Sequence, residues 1–121
     1  YKRLGEKKAP KYITWSPENR SQLIRIPAAK GEYRRIELRS PDPTANPYIA
    51  YALLITAGLD GIERELTAPK AVNVNLYKAD SSVTEPFDRL PASLDEAIAV
   101  AEDSDFVRGV IGMNITDFLG I

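Results

Sequence analysis

An alternating run of arginine and glutamate is the part of this sequence best suited to chemistry. Side chains in a β-strand alternate between two faces, so Arg35, Glu37 and Arg39 are predicted to share one face. A guanidinium matches the geometry of a phosphate or carboxylate, and a glutamate supplies a hard oxygen ligand for a divalent metal ion. The same pattern is also typical of the solvated side of an antiparallel sheet, where charge pairs contribute little. The pattern alone leaves both interpretations open.

Composition restricts the chemistry that this chain can perform. The 121 residues include neither cysteine nor histidine, which excludes disulfides, thiolate chemistry and the commonest general base. Carboxylates, arginines and lysines therefore have to carry any reaction. The absence of cysteine is compatible with a reducing cytoplasm. A formal net charge of −1 gives no reason to expect nonspecific attraction to nucleic acid or to an anionic membrane.

The first half of the sequence predicts three short strands and one long helix. Strands are expected at residues 12–15, at Gln22–Pro27 and at Tyr33–Ser40, with a hairpin joining the last two. Asn46 is a suitable N-cap for a helix that begins at Pro47 and continues to about residue 66. This helix is apolar nearly all round, which is typical of a helix buried on most sides.

The second half predicts a long ordered loop followed by short helices. The loop covers residues 67–92 around an extended segment at Val72–Tyr77. Ser93 opens a capping box for a helix that ends at about residue 102. Further helices are expected at Asp105–Ile111 and from Thr116 onwards. The length fits one domain, and the start at Tyr1, without an initiator methionine or signal peptide, favours a segment of a longer protein.

Several motifs in correct order and spacing resemble the C-terminal part of the catalytic domain of type I glutamine synthetase. The motifs, which together span most of the chain, are Asn19-Arg20-Ser21, Ile24-Arg25-Ile26-Pro27, Arg35-Ile36-Glu37-Leu38-Arg39-Ser40-Pro41-Asp42-Pro43, Asn46-Pro47-Tyr48, Ala57-Gly58-Leu59-Asp60-Gly61-Ile62, Asn75-Leu76-Tyr77 and Leu90-Pro91-Ala92-Ser93-Leu94. This resemblance favours the chemical interpretation of the arginine and glutamate run over the solvated face.

The resemblance implies a role for each charged side chain at a matching position. Glu37 is implied to be a ligand of a divalent metal, Mg²⁺ or Mn²⁺, that meets the nucleotide phosphates. Arg20 and Arg25 match catalytic arginines that embrace the ATP phosphates and the phosphoryl group in transfer. Arg35 matches a neighbouring arginine close to the phosphates, and Arg39 matches an arginine that binds the substrate glutamate.

Three more positions have implied roles, each with a plainer alternative. Arg3 matches a second glutamate-binding residue, although a basic residue there is also typical of a frayed terminus. Lys30 corresponds to a nucleotide-contacting lysine, across a loop whose length differs from that of the family. Tyr77 aligns with a tyrosine that is adenylylated in some bacterial members, and its alternative is a packing residue.

One position departs from the family pattern. The family carries a glutamate before Ala-Pro in the flap that shields the intermediate and takes a proton from bound ammonium, whereas this chain has Lys8 there. A lysine would repel an ammonium ion. Either Glu6 replaces the missing carboxylate through a shifted flap, or the intact protein uses a different amine or is a weak synthetase.

The resemblance also implies a fold, a reaction and an assembly. The fold would be α+β, with antiparallel strands forming part of a glutamine-synthetase-type active-site barrel packed with helices. The intact protein would be an ATP-dependent glutamate–ammonia ligase of nitrogen metabolism, cytoplasmic and assembled as stacked hexameric rings, and residues 1–121 alone would be inactive. Two alternatives stay open. They are a γ-glutamyl ligase that uses a polyamine or another amine, and a noncatalytic module that binds a partner.

Overall fold

The computed structural model of the protein describes Leu4 and residues 9–121, and contacts within it define two compact units. The sheet unit comprises the described residues up to Pro41 together with Pro69–Ala92. The helix unit comprises Asp42–Ala68 and Ser93–Ile121. The predicted α+β class is confirmed, because the chain contains a small sheet and five α-helices.

Three short strands form the sheet in the order β1-β2-β3. They are β1 (Trp15–Pro17), β2 (Ile24–Ile26) and β3 (Glu37–Leu38). The expected antiparallel pairing of the last two strands is confirmed, with Arg25 opposite Glu37. The pairing of β1 with β2 is parallel, which differs from the expected antiparallel arrangement. The sheet has three strands, so the barrel of the full family fold stays a prediction.

The predicted third strand was too long. Residues Gly31–Tyr33 form a turn of 3₁₀-helix instead, and only Glu37–Leu38 pairs with β2. Gly31 has a φ of +59°, a left-handed conformation that starts this turn and that glycine adopts without steric cost. Arg35 therefore lies outside the strand, and the alternation argument that placed it beside Glu37 does not apply to it.

The first predicted strand was displaced along the chain for a nonlocal reason. Tyr12 forms a bridge with Arg89, and the amide of Ile13 donates to the carbonyl of Asp88 over 2.8 Å. These residues are thus occupied by the end of the long loop, and the sheet begins only at Trp15. The partner segment lies more than 70 positions away, so local strand propensity could not locate it.

Polar side chains hold the long loop against the sheet. The Gln22 side chain is fully buried, and its Nε2 donates to the carbonyls of Val72 at 2.6 Å and Val74 at 2.9 Å. The buried Ser21 hydroxyl accepts the amide of Leu76 at 2.9 Å. The loop was predicted to be ordered, and these bonds explain how. The predicted extended segment at Val72–Tyr77 forms no strand, and a short helix, α2 (Ser81–Thr84), follows it.

The helix unit contains the long helix and three shorter ones, all close to their predicted positions. The long helix, α1, spans Pro47–Glu63, and the side chain of Asn46 caps it by accepting the amides of Tyr48 and Ile49. The cap confirms the predicted start, whereas the end comes before the predicted residue 66. The others are α3 (Leu94–Glu102), α4 (Asp105–Ile111) and α5 (Ile115–Leu119). Ser93 caps α3 by accepting the amide of Glu96, as predicted.

The predicted burial of α1 on most sides was wrong for the described chain. None of its residues is buried, and α4 is the one element among the described residues that packs against it. A stripe of apolar side chains at spacings of three and four residues is exposed along it: Tyr48, Tyr51, Ile55, Leu59 and Ile62. No described helix is both long enough and apolar enough to cross a membrane.

Two glycines in the helix unit allow a matched test of the backbone geometry. A Cβ at Gly58, inside α1, would meet no atom within 4 Å, whereas Gly112 ends α4 with a φ of +84°. We expect Gly58→Ala to raise the free energy of unfolding of the 121-residue chain by about 0.5–1 kcal/mol. Gly112→Ala should lower it by about 1–2 kcal/mol. Urea unfolding followed by circular dichroism measures both, and equal effects of the two changes would contradict the assigned conformations.

Candidate functional site

The carboxylate of Glu37 joins two arginines in one cluster, the Arg25–Glu37–Arg39 cluster. Arg25 donates from Nη2 to Oε2 at 2.9 Å and from Nε to Oε1 at 3.3 Å, in a two-point pairing. Arg39 donates from Nη1 to Oε1 at 2.5 Å. The side chains of Arg25, Glu37 and Arg39 are 14%, 31% and 17% exposed, so salt screens these pairs less than it would at the open surface.

Strand register and strand alternation bring the three side chains together. Arg25 and Glu37 are directly opposite in the antiparallel pair β2–β3, where facing side chains lie close together. Arg39 follows Glu37 by two positions, so both project from the same face. Arg39 is also fixed through its backbone, because its amide donates to the carbonyl of Leu23 at 2.9 Å. The cluster therefore presents two guanidinium groups held by one carboxylate.

Pairing within the cluster shifts the pKa of Glu37 and the pKa of Arg25 in opposite directions. Hydrogen bonding from Arg25 is the main cause that lowers the pKa of Glu37 to about 2, and Arg39 adds to it while desolvation opposes it. Hydrogen bonding to Glu37 likewise raises the pKa of Arg25. Glu37 is consequently an anion at any physiological pH, as a metal ligand or a guanidinium partner has to be.

Arg35 does not join the cluster in this structure. Its Nη1 donates to the carbonyl of Tyr33 at 3.1 Å, and the residue is exposed. This bond follows from the 3₁₀ turn at Gly31–Tyr33, which brings a backbone carbonyl within reach of the side chain. The shared face of Arg35 with Glu37 therefore stays a prediction, and the exposed arginine remains available to an anion.

Arg20 is held by its backbone, and its side chain is exposed. It follows a turn in which Glu18 has a φ of +68°, and its carbonyl accepts the hydroxyl of Tyr77 at 3.1 Å. Within the described part of the chain, its guanidinium makes no hydrogen bond or ion pair. Such a cation is suited to binding an anion from outside.

For Lys30 and Tyr77, two other predicted site residues, the surface exposure is the main observation that bears on their predicted roles. Lys30 is exposed before the 3₁₀ turn, and Tyr77 is 40% exposed. The predicted roles of Arg3, Lys8 and Glu6 lie outside the described residues.

Glu37 has the donor chemistry of a divalent metal ligand. Carboxylate oxygen is the donor that Mg²⁺ and Mn²⁺ prefer, and the lowered pKa keeps it ionised. The described residues contain no group of three or more acidic or other metal-binding side chains. The described chain thus offers one fitting ligand, whose two neighbouring cations would repel a metal ion unless an anion such as phosphate bound with it.

A family model decides what kind of domain this is. The model of the glutamine synthetase catalytic domain matches residues 1–119 of the chain. The chain belongs to the glutamine synthetase family. The predicted resemblance is thereby confirmed.

Curated relatives and a solved structure agree with this assignment. The chain is 46% identical over 118 residues to a glutamine synthetase of Methanosarcina mazei and 42% identical to one of Methanocaldococcus jannaschii. Each alignment covers 95% of this chain and 26% of the relative. A solved GmaS/ADP complex matches 89% of this chain and 24% of its own, at 33% identity and a TM-score of 0.75. The chain thus spans about a quarter of the length of these proteins.

Two structural features of the site were not found by sequence reasoning. The pairing of Arg25 with Glu37 depends on strand register, which the sequence specified only as a hairpin. The Ser21 and Gln22 contacts to residues 72–76 join segments about 50 positions apart. The available sequence signal was a glutamine next to three apolar residues, Leu23, Ile24 and Ile26. An amide buried with such residues, as Gln22 is, requires hydrogen-bond partners.

The low pKa of Glu37 predicts an acid-sensitive contribution to stability. The pKa in the fold, about 2, lies below the ordinary value of 4.5, so ionised Glu37 stabilises the fold above pH 4.5 and the contribution is lost as pH falls towards 2. We expect Glu37→Gln to lower the free energy of unfolding at pH 7 by about 1–2 kcal/mol, a value reduced for partial exposure. Denaturation with urea between pH 2 and 7 should show the difference from the unsubstituted chain shrinking towards pH 2.

Glu32→Gln is the matched control for this experiment. Glu32 is exposed and makes no ion pair in the described chain. Its replacement should leave the pH profile nearly unchanged. If the free energy of unfolding of Glu37→Gln differs from that of the unsubstituted chain by the same amount down to pH 2, the effect does not come from the carboxylate charge.

Proposed function

We propose that these residues form the C-terminal part of the catalytic domain of an ATP-dependent glutamate–ammonia ligase. The observation that carries the proposal is the family match over residues 1–119, within which Arg25, Glu37 and Arg39 meet in one charged cluster. The similarity to a GmaS/ADP complex supports a nucleotide as one ligand. The activity belongs to the whole protein, and the 121 residues alone are inactive in this proposal.

The reaction has two steps: the γ-phosphoryl group moves from ATP to the side-chain carboxylate of glutamate, and an amine then displaces it as phosphate. The side-chain carboxylate of glutamate attacks the γ-phosphorus of ATP, the bond to ADP breaks, and γ-glutamyl phosphate forms. An amine then attacks the acyl carbon, phosphate leaves, and the amine loses a proton. With ammonia the product is glutamine. Both steps develop negative charge on phosphate oxygens, which fixed cations stabilise.

The cluster can supply those fixed cations without rearranging. Arg25 uses Nε and one N–H of Nη2 for Glu37, which leaves the Nη1 donors for a phosphate. Glu37 holds Arg25 in place, so the guanidinium loses little freedom when the nucleotide binds. Arg39 is assigned to the substrate glutamate, and the exposed Arg20, Arg35 and Lys30 are assigned to the ATP phosphates. A metal ion at Glu37 would neutralise phosphate charge when bound.

Lys8 keeps a second amine in consideration. A cation at the position where the family has a flap glutamate disfavours ammonium, so a ligase for a polyamine or another amine stays the alternative enzyme. A noncatalytic, partner-binding module is the alternative from another class. The exposed apolar stripe of α1 favours that reading, because large exposed apolar surfaces mark interaction sites.

Four further properties follow from the proposal. The protein would be cytoplasmic, and it would assemble from copies of itself into stacked hexameric rings. Tyr77 would be open to adenylylation, for which its 40% exposure is suitable. Mg²⁺ or Mn²⁺ would be required together with ATP.

Phosphate release by the full natural protein tests the proposal. The protein is incubated with ATP, Mg²⁺ and glutamate, and ammonium is compared with methylamine and a polyamine. We expect release that depends on ammonium. Release only with a bulkier amine would establish the other ligase, and no release with any amine would refute both enzyme proposals.

Glu37→Ala tests the assigned metal ligand in the same protein. Loss of a ligand should raise the Mg²⁺ concentration for half-maximal phosphate release, or lower the rate, by about 10- to 100-fold. The matched control is Glu32→Ala, which removes an exposed carboxylate outside the cluster. An unchanged Mg²⁺ dependence of Glu37→Ala would show that Glu37 acts only as an arginine partner.

A further inference from the structure

The backbone around Arg20 is tied to a loop segment more than 50 positions away. Ser21 and Gln22, which follow Arg20 directly, bond to the segment Val72–Leu76 through buried side chains. Tyr77, at the end of the same segment, donates its hydroxyl to the Arg20 carbonyl at 3.1 Å. We call these contacts the clasp. The clasp thus connects the loop segment to the Arg20 carbonyl and to the side chains of Ser21 and Gln22.

The buried half of the clasp is directional and well satisfied. Gln22 uses both Nε2 hydrogens on two loop carbonyls, and its Oε1 lies 3.0 Å from the Ser21 hydroxyl. Breaking such a bond leaves a buried polar group without its partner, which destabilises that arrangement. The segment therefore has one favourable position relative to Arg20, and it cannot slide without breaking several bonds together.

The exposed half of the clasp acts on Arg20 itself. The Arg20 carbonyl is held by Tyr77, and the Asn19 side chain accepts the Ser21 amide at 3.0 Å, so the backbone is fixed before and after Arg20. The guanidinium has no partner in the described part of the chain. A fixed backbone with a side chain available to ligands is the arrangement expected when one cation has to meet an anion at a set place.

We propose that Tyr77 is a positioning residue that acts through Arg20 on the phosphate groups of the nucleotide. The Tyr77 hydroxyl fixes the Arg20 peptide unit, and the Ser21 and Gln22 bonds fix the segment that carries Tyr77. The inference rests on the proposed function for its nucleotide. It does not need Tyr77 to touch the nucleotide or to be modified.

Binding of ADP to the full natural protein, measured by calorimetry with Mg²⁺, tests the inference independently of turnover. Tyr77→Phe keeps the ring and removes the hydroxyl, and we expect it to raise the Kd for ADP about 3- to 10-fold. The affinity for adenosine, which has no phosphate, should stay unchanged. Tyr33→Phe is the control, because Tyr33 is exposed and its hydroxyl makes no bond in the described chain.

A double-mutant cycle with Arg20→Ala separates positioning from general weakening. Arg20→Ala alone should raise the Kd about 10- to 100-fold, and adding Tyr77→Phe should change it no further, because Tyr77 acts through Arg20. A Kd of Tyr77→Phe within about twofold of the unsubstituted protein, or effects that multiply in the double variant, would overturn the inference. ADP binding without phosphate release would refute only the proposed function, and failure to bind ADP would refute both.

Discussion

The charge of Glu37 is the constraint on which the site depends. A partly buried carboxylate requires cations or donors, and Arg25 and Arg39 supply both. This pairing fixes the register of β2 against β3 and orients two guanidinium groups with the same bonds. Two positive charges and one negative charge leave the cluster with a net charge of +1, so a bound anion still gains from it. The cluster is thereby ordered in advance of any ligand.

Polar bonds, more than apolar packing, fix the described sheet unit around this cluster. Its fully buried side chains include Gln22 and Ser16, and the buried apolar residues Ala9 and Leu76 add little volume. Hydrogen bonds are directional, so they set the position of the long loop more narrowly than apolar contact would. A unit of this kind is suited to presenting charged side chains at set places. Loss of one of its hydrogen bonds is destabilising, because few apolar contacts compensate for it.

The helix starts were predicted correctly from local interactions, whereas the strand limits failed for one distant and one local reason. Asn46 and Ser93 cap helices through amides two or three positions away, so sequence alone located both helix starts. Strand limits failed because Tyr12 pairs with Arg89 and because Gly31 starts a turn within the predicted third strand. The roles of the charged residues came from family resemblance, since alternation alone left both a solvated face and a binding site open, and Arg35 makes no bond to Glu37 in the structure.

Within the described residues, the apolar stripe of α1 lacks neighbours that cover it, and the carboxylate of Glu37 lacks further metal ligands. A helix apolar on nearly every face gains stability only when neighbours cover it, and the described residues cover one side with α4. A lone carboxylate binds a divalent cation firmly only when other oxygen ligands join it. The relatives carry about three quarters of their length outside the region that this chain matches. Polypeptide equivalent to that length could supply both the cover and the ligands, which is why the proposed activity is assigned to the whole protein.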